Sequence, residues 1–470
     1  MDADSLTKLN NSIAQYLLSE NDSSDMDGWT VSENTVAGRG LIATKNYNPG
    51  EVIFMDVPLI KSPRVLLNNE ANKNLICAVC FQNGPLQACS GGCRWPVCNT
   101  KCAKSKLHTV ECAYIRCLRP NSSSSEWSIG LYNAVAAVRG LTMFKEGSYN
   151  YFYNTLQKNT TVKPVFEVEE LKKNVKSKLN QKDEVIMQTV CKIMDANAFE
   201  VVINQVTSLR GLYPVASFMN HSCVPNTMHN FDNKLRMVVK ASVPIKKNQE
   251  ITTSYTHLIW STPLRQHHLL VSKQFLCTCF RCRDPKEFGT ELAALNCTKI
   301  NCHGRILSVN PLDKAAVWQC KVCSKLVSDT EVAILHKTVG SLLTKMYTFH
   351  PKTIDAFIEK NNINKNSPFA VDLKLQFVWK TNNSKMTLEQ LIYKENSCID
   401  ILNLIQKLNL GKCRLMGLVN KELFEVMNEK RKRYSWDPQT LQVFEKKMNI
   451  LKEEFTTILN ESIRSIKNEE

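Results

Sequence analysis

The chain is 470 residues long and carries a formal net charge of +16, with 43% hydrophobic and 22% charged residues. That length allows two or three domains, and the balance of residue types is that of a globular protein rather than a disordered or fibrous one. No apolar run is long enough to span a bilayer and no apolar secretory segment follows the acidic start, so we expect the protein in the cytoplasm and nucleus.

The excess of positive charge is only a weak indication of an acidic partner such as nucleic acid, because the lysines are spread along the chain. Its clearest concentration is the run Lys430-Arg431-Lys432-Arg433. Such a run is typical of a nuclear import signal, or of the solvated end of a helix. The sequence leaves both interpretations open and favours the helix end.

Predicted secondary structure changes several times along the chain. Strands begin at the glycine turn over 38–40 and continue in a buried run over 52–55. Helical periodicity dominates over 129–199, short strands return over 212–255, and the chain is helical again after residue 330. The sequence therefore predicts an α+β protein whose strand-rich part is interrupted by other segments.

The nineteen cysteines decide more than the charge does. Disulfides are rare in a reducing compartment, so clustered thiols there indicate metal sites. Most of the cysteines fall into spaced clusters. Those that stand alone are predicted to be buried core thiols, namely Cys117, Cys191, Cys398 and Cys413.

The first cluster, over residues 77–112, is named the finger here. Its Cys and His residues form four closely spaced pairs, enough for two tetrahedral zinc sites with no open position. The pairs are Cys77 with Cys80, Cys89 with Cys93, Cys98 with Cys102, and His108 with Cys112. Closed sites of this kind are structural, and they stabilise a segment too short to form its own hydrophobic core.

A second cluster combines a compact group of thiols with a distant one. Cys277, Cys279 and Cys282 are too closely spaced to point together into an apolar core, and Cys223 lacks a local partner. A zinc ion shared by all four would hold the two segments together.

A third cluster has the spacing of a zinc ribbon, with a hairpin predicted between its two halves. It comprises Cys297, Cys302, Cys320 and Cys323. His303 could replace Cys302 as a ligand, and the alternative is a set of loop thiols without metal.

The most specific motif is the turn Asn-His-Ser-Cys over 220–223, which Val-Pro-Asn follows. Residues 251–255 predict a short strand ending in Tyr255, and the Cys-x-Cys-x-x-Cys group comes next. This order resembles the SET domain of protein-lysine methyltransferases. With a finger inserted among the strands, the chain resembles the SET-and-MYND family in its arthropod-type form.

The resemblance implies a particular α+β architecture. A split, β-rich SET domain would contain an inserted MYND zinc finger, followed by a zinc-bound post-SET segment and an α-helical C-terminal lobe. The expected parts are a lead-in (1–28), the N-terminal SET part (29–76), the finger (77–112), a helical insert (113–195), the SET core (196–260), the post-SET segment (261–285), a zinc ribbon (290–326) and the C-terminal domain (327–470).

The resemblance also implies an activity, which is methyl transfer from S-adenosylmethionine to a lysine of a histone or another protein. Tyr255 would be the catalytic residue. The residues that match family contacts with the cofactor are Arg39, Gly40, Asn197, Asn220, His221, Tyr255 and Phe275. Read without the resemblance, Tyr255 and Phe275 could be ordinary core aromatics.

For the finger, the resemblance implies that alternate pairs share a metal. One zinc ion would be held by Cys77, Cys80, Cys98 and Cys102, and the other by Cys89, Cys93, His108 and Cys112. We therefore expect three zinc ions, in the finger and the Cys223 cluster, and a fourth if the ribbon binds metal.

Two other functions remain open on the sequence. MYND fingers dock proline-containing peptides, so the chain could be an interaction scaffold or transcriptional corepressor with weak or no catalysis. A DNA-binding zinc protein would need a base-reading basic face, and the finger offers little of one. The sequence favours a methyltransferase with a role in chromatin regulation, a protein substrate, weak or absent nucleic-acid binding and no membrane association.

Overall fold

The computed structural model of the chain describes residues 3–19, 27–34, 38–65, 75–121, 126–147, 150–160, 163–204, 207–346 and 349–459. Within these ranges, no helix combines the length and the hydropathy that a membrane span requires.

The described residues form strands and helices in alternating blocks. The strands are β1 (Trp29–Asn34), β2 (Gly38–Ala43), β3 (Val52–Asp56), β4 (Ile60–Pro63), β5 (Gln87–Ala88), β6 (Pro96–Val97), β7 (Phe199–Asn204), β8 (Thr207–Leu212), β9 (Asn220–His221), β10 (Thr227–Phe231), β11 (Met237–Ala241), β12 (Glu250–Thr253), β13 (Leu295–Asn296), β14 (Arg305–Ser308), β15 (Trp318–Cys320) and β16 (Leu326–Val327).

The helices are concentrated in the middle and at the C-terminal end of the described chain. They are α1 (Ala3–Ser19), α2 (Thr100–Ala103), α3 (Lys106–Cys117), α4 (Ile129–Asn133), α5 (Val135–Glu146), α6 (Asn150–Thr155), α7 (Phe166–Lys173), α8 (Gln181–Asn197), α9 (Thr262–Lys273), α10 (Phe280–Arg283), α11 (Asp329–Leu343), α12 (Pro351–Lys360), α13 (Pro368–Lys380), α14 (Leu388–Lys407), α15 (Arg414–Arg433) and α16 (Pro438–Leu459).

The chain divides into two units. The first unit comprises residues 1–40, 54–219 and 231–238, and the second comprises residues 41–53, 220–230 and 239–470. Strands β2, β3, β10 and β11 each begin in one unit and end in the other.

The core of the first unit is built around helix α5, which is buried from Val135 to Thr142. A helix without a polar face requires neighbours on all sides. Gly140 allows one of them to approach closely, because a Cβ atom there would lie 2.3 Å from a methyl carbon of Val190 on α8. Alanine at this position would therefore push the two helices apart.

The first unit also holds the finger and an antiparallel sheet of order β4-β8-β7. In that sheet Ile60 pairs with Leu212, and Phe199 pairs with Gly211. The N-terminal helix α1 packs into this unit rather than standing apart, since Leu9 and Ile13 are fully buried.

In the second unit, a small sheet brings together segments that are far apart in sequence. Strand β12 pairs antiparallel with β2, with Ile251 opposite Leu41, and parallel with β9, with Thr252 opposite Asn220. A separate meander, β13-β14-β15-β16, carries the third cysteine cluster. The parallel pair is the feature that positions the candidate site.

Helices α11 to α16 lie in the second unit. Helices α11 and α14 begin with capping boxes, in which Ser328 pairs with Glu331 and Thr387 with Gln390. The apolar faces of α13 to α16 meet in one core that includes Leu375, where each buried side chain contributes about 1.5–3 kcal/mol.

The basic run at 430–433 forms the last turn of α15. Lys430 pairs with Glu395 at 2.7 Å, and Arg433 pairs with Glu429 at 2.6 Å. Basic residues at a helix C-terminus also complement the helix dipole. The structure therefore supports the interpretation of this run as a helix end.

The predicted α+β fold class is confirmed, with two local corrections. Strand β12 ends at Thr253, so Tyr255 lies two residues beyond the strand instead of ending it. Cys117 is exposed at the end of α3 and is not the core thiol that was predicted, whereas Cys191, Cys398 and Cys413 are buried.

Candidate active site and metal centres

The turn over 220–223 is held by main-chain bonds to strand β12. Asn220 and His221 lie opposite Thr252 and Thr253 in the parallel pair, and the backbone N–H of Ser222 donates to the carbonyl of Thr253 at 2.9 Å. This pairing fixes the direction of the side chains on both segments.

Asn226, the last residue of the Ser-Cys-Val-Pro-Asn sequence, fastens the turn from the other side. Its Nδ2 donates to the carbonyl of Glu250 at 2.7 Å, and its Oδ1 accepts the backbone N–H of Thr252 at 2.8 Å. The side chain of Asn226 thus replaces a strand neighbour for β12. This explains why the asparagine belongs to the motif.

The Asn220 side chain makes a polar contact within the same sheet. Its Nδ2 donates to Oε1 of Glu250 at 2.8 Å, and both residues are partly exposed. This hydrogen bond fixes the Asn220 amide relative to strand β12.

His221 is fixed through both of its ring nitrogens. Nδ1 accepts the backbone N–H of Tyr255 at 3.0 Å, so the proton of the neutral ring lies on Nε2, 3.3 Å from the sulfur of Cys223. Burial, with nearby positive charges, lowers the pKa of His221 to about 4, and the ring is neutral at physiological pH.

Three rings meet beside this histidine. The centroid of the His221 ring lies 5.3 Å from that of Tyr255 and 5.9 Å from that of Phe275, and the Tyr255 and Phe275 rings are 6.4 Å apart at 83°. The Tyr255 and Phe275 rings thus meet edge to face, which is a favoured arrangement of packed aromatic groups. Lys273 places its Nζ 5.4 Å from the centre of the Tyr255 ring.

The environment of Tyr255 controls the state of its hydroxyl. Burial raises the pKa of Tyr255 well above its ordinary value, and the negative charge of Glu250 adds to the rise. The hydroxyl therefore keeps its proton at physiological pH. It can act as a hydrogen-bonding group but not as a base.

The remaining residues that were predicted to contact the cofactor lie in the first unit. Arg39 lies in β2 with its guanidinium 5.6 Å from the centre of the Phe218 ring, and Gly40 follows it in the same strand. Asn197 ends α8 and donates to the carbonyls of Gln157 and Ile193, at 2.7 and 2.8 Å. The second unit brings together Asn220, His221, Tyr255 and Phe275.

The finger contains two groups of ligand atoms, and each group lies within 4.8 Å. They are Cys77, Cys80, Cys98 and Cys102, and Cys89, Cys93, His108 and Cys112. In the first group, the sulfurs of Cys98 and Cys102 are 3.4 Å apart. A tetrahedral zinc ion with bonds of about 2.3 Å separates its sulfurs by about 3.8 Å, so the group fits zinc.

In the second finger group, the ligand His108 is itself held by neighbouring side chains. The Nε2 of His108 lies 3.2 Å from the Cys89 sulfur, while its Nδ1 lies 3.4 Å from a carboxylate oxygen of Glu111. Arg139 holds the other carboxylate oxygen at 2.5 Å, and all three side chains are buried. A histidine that turns one nitrogen to the thiols and the other to a carboxylate is the usual arrangement of a zinc ligand.

The electrostatics of Glu111 follow from these neighbours. Burial alone would raise the pKa of Glu111, but the charge of Arg139 and the hydrogen bonds from His108 and Arg139 outweigh it and hold the pKa below the ordinary value. Glu111 is therefore ionised and able to accept both hydrogen bonds.

The Cys223 cluster brings Cys223 together with Cys277, Cys279 and Cys282, although they are more than fifty residues apart in sequence. The sulfur of Cys223 is 3.9 Å from that of Cys277 and 3.4 Å from that of Cys282. Tyr255 and Phe275 pack against the buried cluster that contains Cys223, Cys277 and Cys282. The ligand set is closed and suits a structural zinc ion.

Two buried arginines lie beside the Cys223 cluster. Arg265 donates from Nε to the Cys223 sulfur at 3.2 Å, and Arg281 donates to the Cys223 carbonyl at 3.1 Å. Glu287 accepts from both arginines, at 2.7 and 3.0 Å. A zinc ion with four thiolates has a net charge of about −2, so two guanidinium groups partly balance it.

The ribbon cluster forms on the meander. The Cys297 and Cys323 sulfurs are 3.6 Å apart, as are Cys302 and Cys320 at 3.7 Å. The backbone N–H of Lys299 donates to the Cys297 sulfur at 3.4 Å. His303, which the sequence offered as an alternative to Cys302, does not belong to the group.

Sequence reasoning missed the side chains that surround the clusters. Glu111 carried a usable signal, because it follows His108 by three residues on a helix and so shares its face. Arg265 and Glu287 gave none, since ordinary charged residues acquire meaning only when folding buries them together.

Comparisons with known proteins agree with this geometry. A family model described as the SET domain matches residues 38–256, a range that contains the finger. The SET domain-containing protein SmydA-8, isoform A, of Drosophila melanogaster is 27% identical over 423 residues, covering 85% of this chain and 88% of the relative.

Two relatives from other lineages are also similar. The histone-lysine N-methyltransferase ASHR1 of Arabidopsis thaliana is 29% identical over 339 residues, which is 68% of each chain. The N-lysine methyltransferase SMYD2-A of Xenopus laevis is 24% identical over 336 residues, covering 69% of this chain and 74% of the relative.

Proposed function

We propose, from the premise that this chain belongs to the SET-and-MYND family of protein-lysine methyltransferases, that it transfers a methyl group from S-adenosylmethionine to a lysine of a protein substrate. The observation that carries the proposal is the parallel pairing of β9 with β12. It sets Asn220 and His221 beside Tyr255, with Phe275 completing the group.

The reaction needs a neutral amine, because only an amine with a free lone pair attacks. Lysine has a pKa of about 10.4 in water. An apolar environment helps the reaction because it disfavours the charged form of the amine and so lowers this pKa. The rings of His221, Tyr255 and Phe275 supply apolar surface, and the charge of Lys273 beside Tyr255 disfavours a second cation nearby.

Tyr255 is the proposed catalytic residue. When bound, S-adenosylmethionine supplies an activated methyl group. The protonated hydroxyl of Tyr255 can hydrogen-bond to a neutral amine and orient it, and alignment is the main requirement of an in-line transfer. Since that hydroxyl is no base, the lysine must lose its proton before the transfer.

The other proposed cofactor residues have distinct tasks. Asn220 presents an amide oxygen beside a neutral His221, and Phe275 offers a flat apolar surface. We assign Arg39, Gly40 and Asn197 to the same cofactor by their match to the family pattern.

Zinc has a structural role in this proposal. The described clusters have four ligands each and no open position, so they hold segments in place and do not activate water. We assign three zinc ions to the finger and the Cys223 cluster, and a fourth to the ribbon.

The finer features of the proposal concern partners and place. We propose that the finger is a MYND finger that docks proline-containing peptides, that the substrate is a histone or another protein, and that the enzyme works in the cytoplasm and nucleus as a chromatin regulator. Nucleic-acid binding is weak or absent in this proposal. A scaffold without catalysis is not favoured, because it has no use for the arrangement around Tyr255.

Calorimetric titration with S-adenosylhomocysteine tests the proposal. We expect saturable binding by the zinc-loaded wild type and its loss in Asn220→Ala. In Tyr255→Phe, binding should persist, while methyl transfer in a lysine-peptide screen falls by roughly 100-fold or more. If the well-folded wild type binds no S-adenosylhomocysteine, the proposed methyltransferase activity is wrong.

A further inference from the structure

The second unit contains a cleft that the proposed reaction does not use. It has a volume of about 250 Å³, close to the lower end of ligand pockets at roughly 300–1000 Å³. Its walls come from α9, the loop before Glu287, the ribbon hairpin and α11. None of the residues assigned to the cofactor lines it.

The cleft is nevertheless joined to the candidate active site through three consecutive residues. Phe275 packs against Tyr255 and His221, Leu276 lines the cleft, and Cys277 belongs to the zinc cluster. Gln266, which also lines the cleft, holds Cys277 by its backbone on both sides. A molecule in the cleft would therefore lie one residue away from the ring of Phe275.

The lining combines an apolar floor with an acidic rim. Leu276, Leu312, Trp318 and Val332 provide apolar surface, and Leu276 is 43% exposed. An apolar surface that remains open in this way is suited to a partner side chain.

The rim carries three aspartates, Asp284, Asp313 and Asp329, against one lysine, Lys314. His267 and His336 also face the cleft. The carboxylate of Glu287 is already taken up by two buried arginines. The local charge is thus negative on a protein whose net charge is +16.

We propose that this cleft binds a segment of the protein substrate that carries a lysine or arginine next to a large apolar residue. Charge complementarity selects the basic residue, and the floor accepts the apolar one. The inference rests on the proposed function, because it treats the occupant as a substrate that also presents a lysine to Tyr255. Binding energy gained at such a remote contact can serve to position the reacting group.

A matched pair of substitutions on α11 tests the cleft itself. Ala333 lines the cleft and is exposed, so Ala333→Trp fills it from the solvent side. Thr338 is exposed on the same helix outside the lining, and Thr338→Trp is the control. A third variant, D313N with D329N, removes charge from the rim without changing its shape.

The experiment measures fluorescence anisotropy of a short labelled peptide of alternating lysine and leucine with zinc-loaded, full-length protein and S-adenosylhomocysteine. We expect saturable binding by the wild type and by Thr338→Trp. Ala333→Trp should weaken it by about tenfold or more, as expected when a buried apolar anchor is expelled. The double aspartate variant should weaken it several-fold.

Three results would overturn the inference. They are no binding of the peptide, equal binding by Ala333→Trp, and equal binding of a peptide with glutamate in place of lysine. Calorimetry with S-adenosylhomocysteine on the same samples keeps the two ideas apart. If the cofactor product binds while the peptide results fail, the cleft proposal falls and the proposed function stands.

Discussion

The finger and the Cys223 cluster both bury a set of metal ligands, but different charged side chains surround the ligands in the two regions. In the finger, the carboxylate of Glu111 touches a ligand, His108, and Arg139 holds that carboxylate. At the Cys223 cluster, the guanidinium of Arg265 touches the sulfur directly, and the carboxylate of Glu287 stands behind it. In the finger the carboxylate is next to the ligands and the guanidinium lies outside it, whereas at the Cys223 cluster the guanidinium is next to the ligands and the carboxylate lies outside it.

The number of thiols accounts for the reversal. A zinc ion with three thiolates and a neutral histidine has a net charge of about −1, whereas one with four thiolates has about −2. A buried site of charge −2 needs cations close to it. The histidine of the finger site instead needs an acceptor for its second N–H, which a carboxylate provides.

The two regions also differ in what depends on them. The finger's ligands lie within one short segment, and its zinc ions organise that segment. The Cys223 cluster joins the Asn220 turn to the segment that carries Phe275. Loss of zinc should therefore disturb the candidate active site in the second case and spare it in the first.

The largest expected effect is that of Cys223→Ser. Loss of this ligand should remove one zinc ion and weaken binding of S-adenosylhomocysteine by at least about a hundredfold, because the turn and the Phe275 segment separate. Zinc content by elemental mass spectrometry and cofactor affinity by calorimetry measure the two effects.

The matched control is Cys98→Ser in the finger. It should also lose one zinc ion while the affinity for S-adenosylhomocysteine stays within a factor of about three of the wild type. An equal loss of affinity in both variants would contradict the proposed difference between the regions.

The next effect is that of Glu287→Gln. This change leaves Arg265 and Arg281 buried without their carboxylate, and breaking a buried ion pair in this way costs about 3–5 kcal/mol. Urea denaturation of the zinc-loaded protein measures the free energy of unfolding. Glu291→Gln, which breaks a half-exposed contact with Arg305, should cost about 1 kcal/mol or less.

The sequence predicts the ligands of both regions but not their outer shells. Cysteine spacing is a local property, and it identified the four pairs of the finger, while the family resemblance implied which pairs share a metal. The strand before Tyr255 was predicted to end two residues too late, at Tyr255 instead of Thr253. The end of the strand depends on pairing with β9, which no local pattern encodes.

Long-range contacts set the same limit at the candidate site. The Asn-His turn and Phe275 were predicted from a motif, yet the contact of His221 with the backbone of Tyr255 required the parallel pair. The cleft beside Leu276 had no sequence signal at all, since its walls come from segments that extend from Thr262 to His336.

Glu111 and Glu287 are buried carboxylates that pair with arginines. Asp56 shows how burial changes the pKa of a carboxylate that is held by backbone N–H groups instead. Asp56 is fully buried, and its Oδ2 accepts the backbone N–H of Ala216 at 2.8 Å. Burial raises the pKa of Asp56 to about 8. The folded protein thus binds a proton that the unfolded chain has released above pH about 4.

Asp56 should therefore make stability depend on pH. Its contribution is fully present below pH about 4 and is lost as the pH rises through about 8, with each unit of pKa worth about 1.4 kcal/mol. In Asp56→Asn, this part of the pH dependence should disappear from urea titrations between pH 5 and 8. A wild-type free energy of unfolding that rises across this window, and does so equally in the variant, would show that Asp56 is ionised.

The smallest effect, and the one that bears most closely on the difference between the two shells, is that of Glu111→Gln. Glutamine can still accept the N–H of His108 but has no charge to pair with Arg139, so we expect zinc affinity at one finger site to fall by about 10- to 100-fold. Competition with a chelator measures the zinc affinity.

The control is Glu167→Gln. Glu167 is a buried carboxylate that pairs with Arg210 away from the clusters' ligands, so this change should leave zinc affinity unchanged. If Glu111→Gln also leaves it unchanged, the carboxylate serves only to bury Arg139. The two regions would then differ in how far apart their ligands lie along the chain, and not in how their outer shells stabilise the metal.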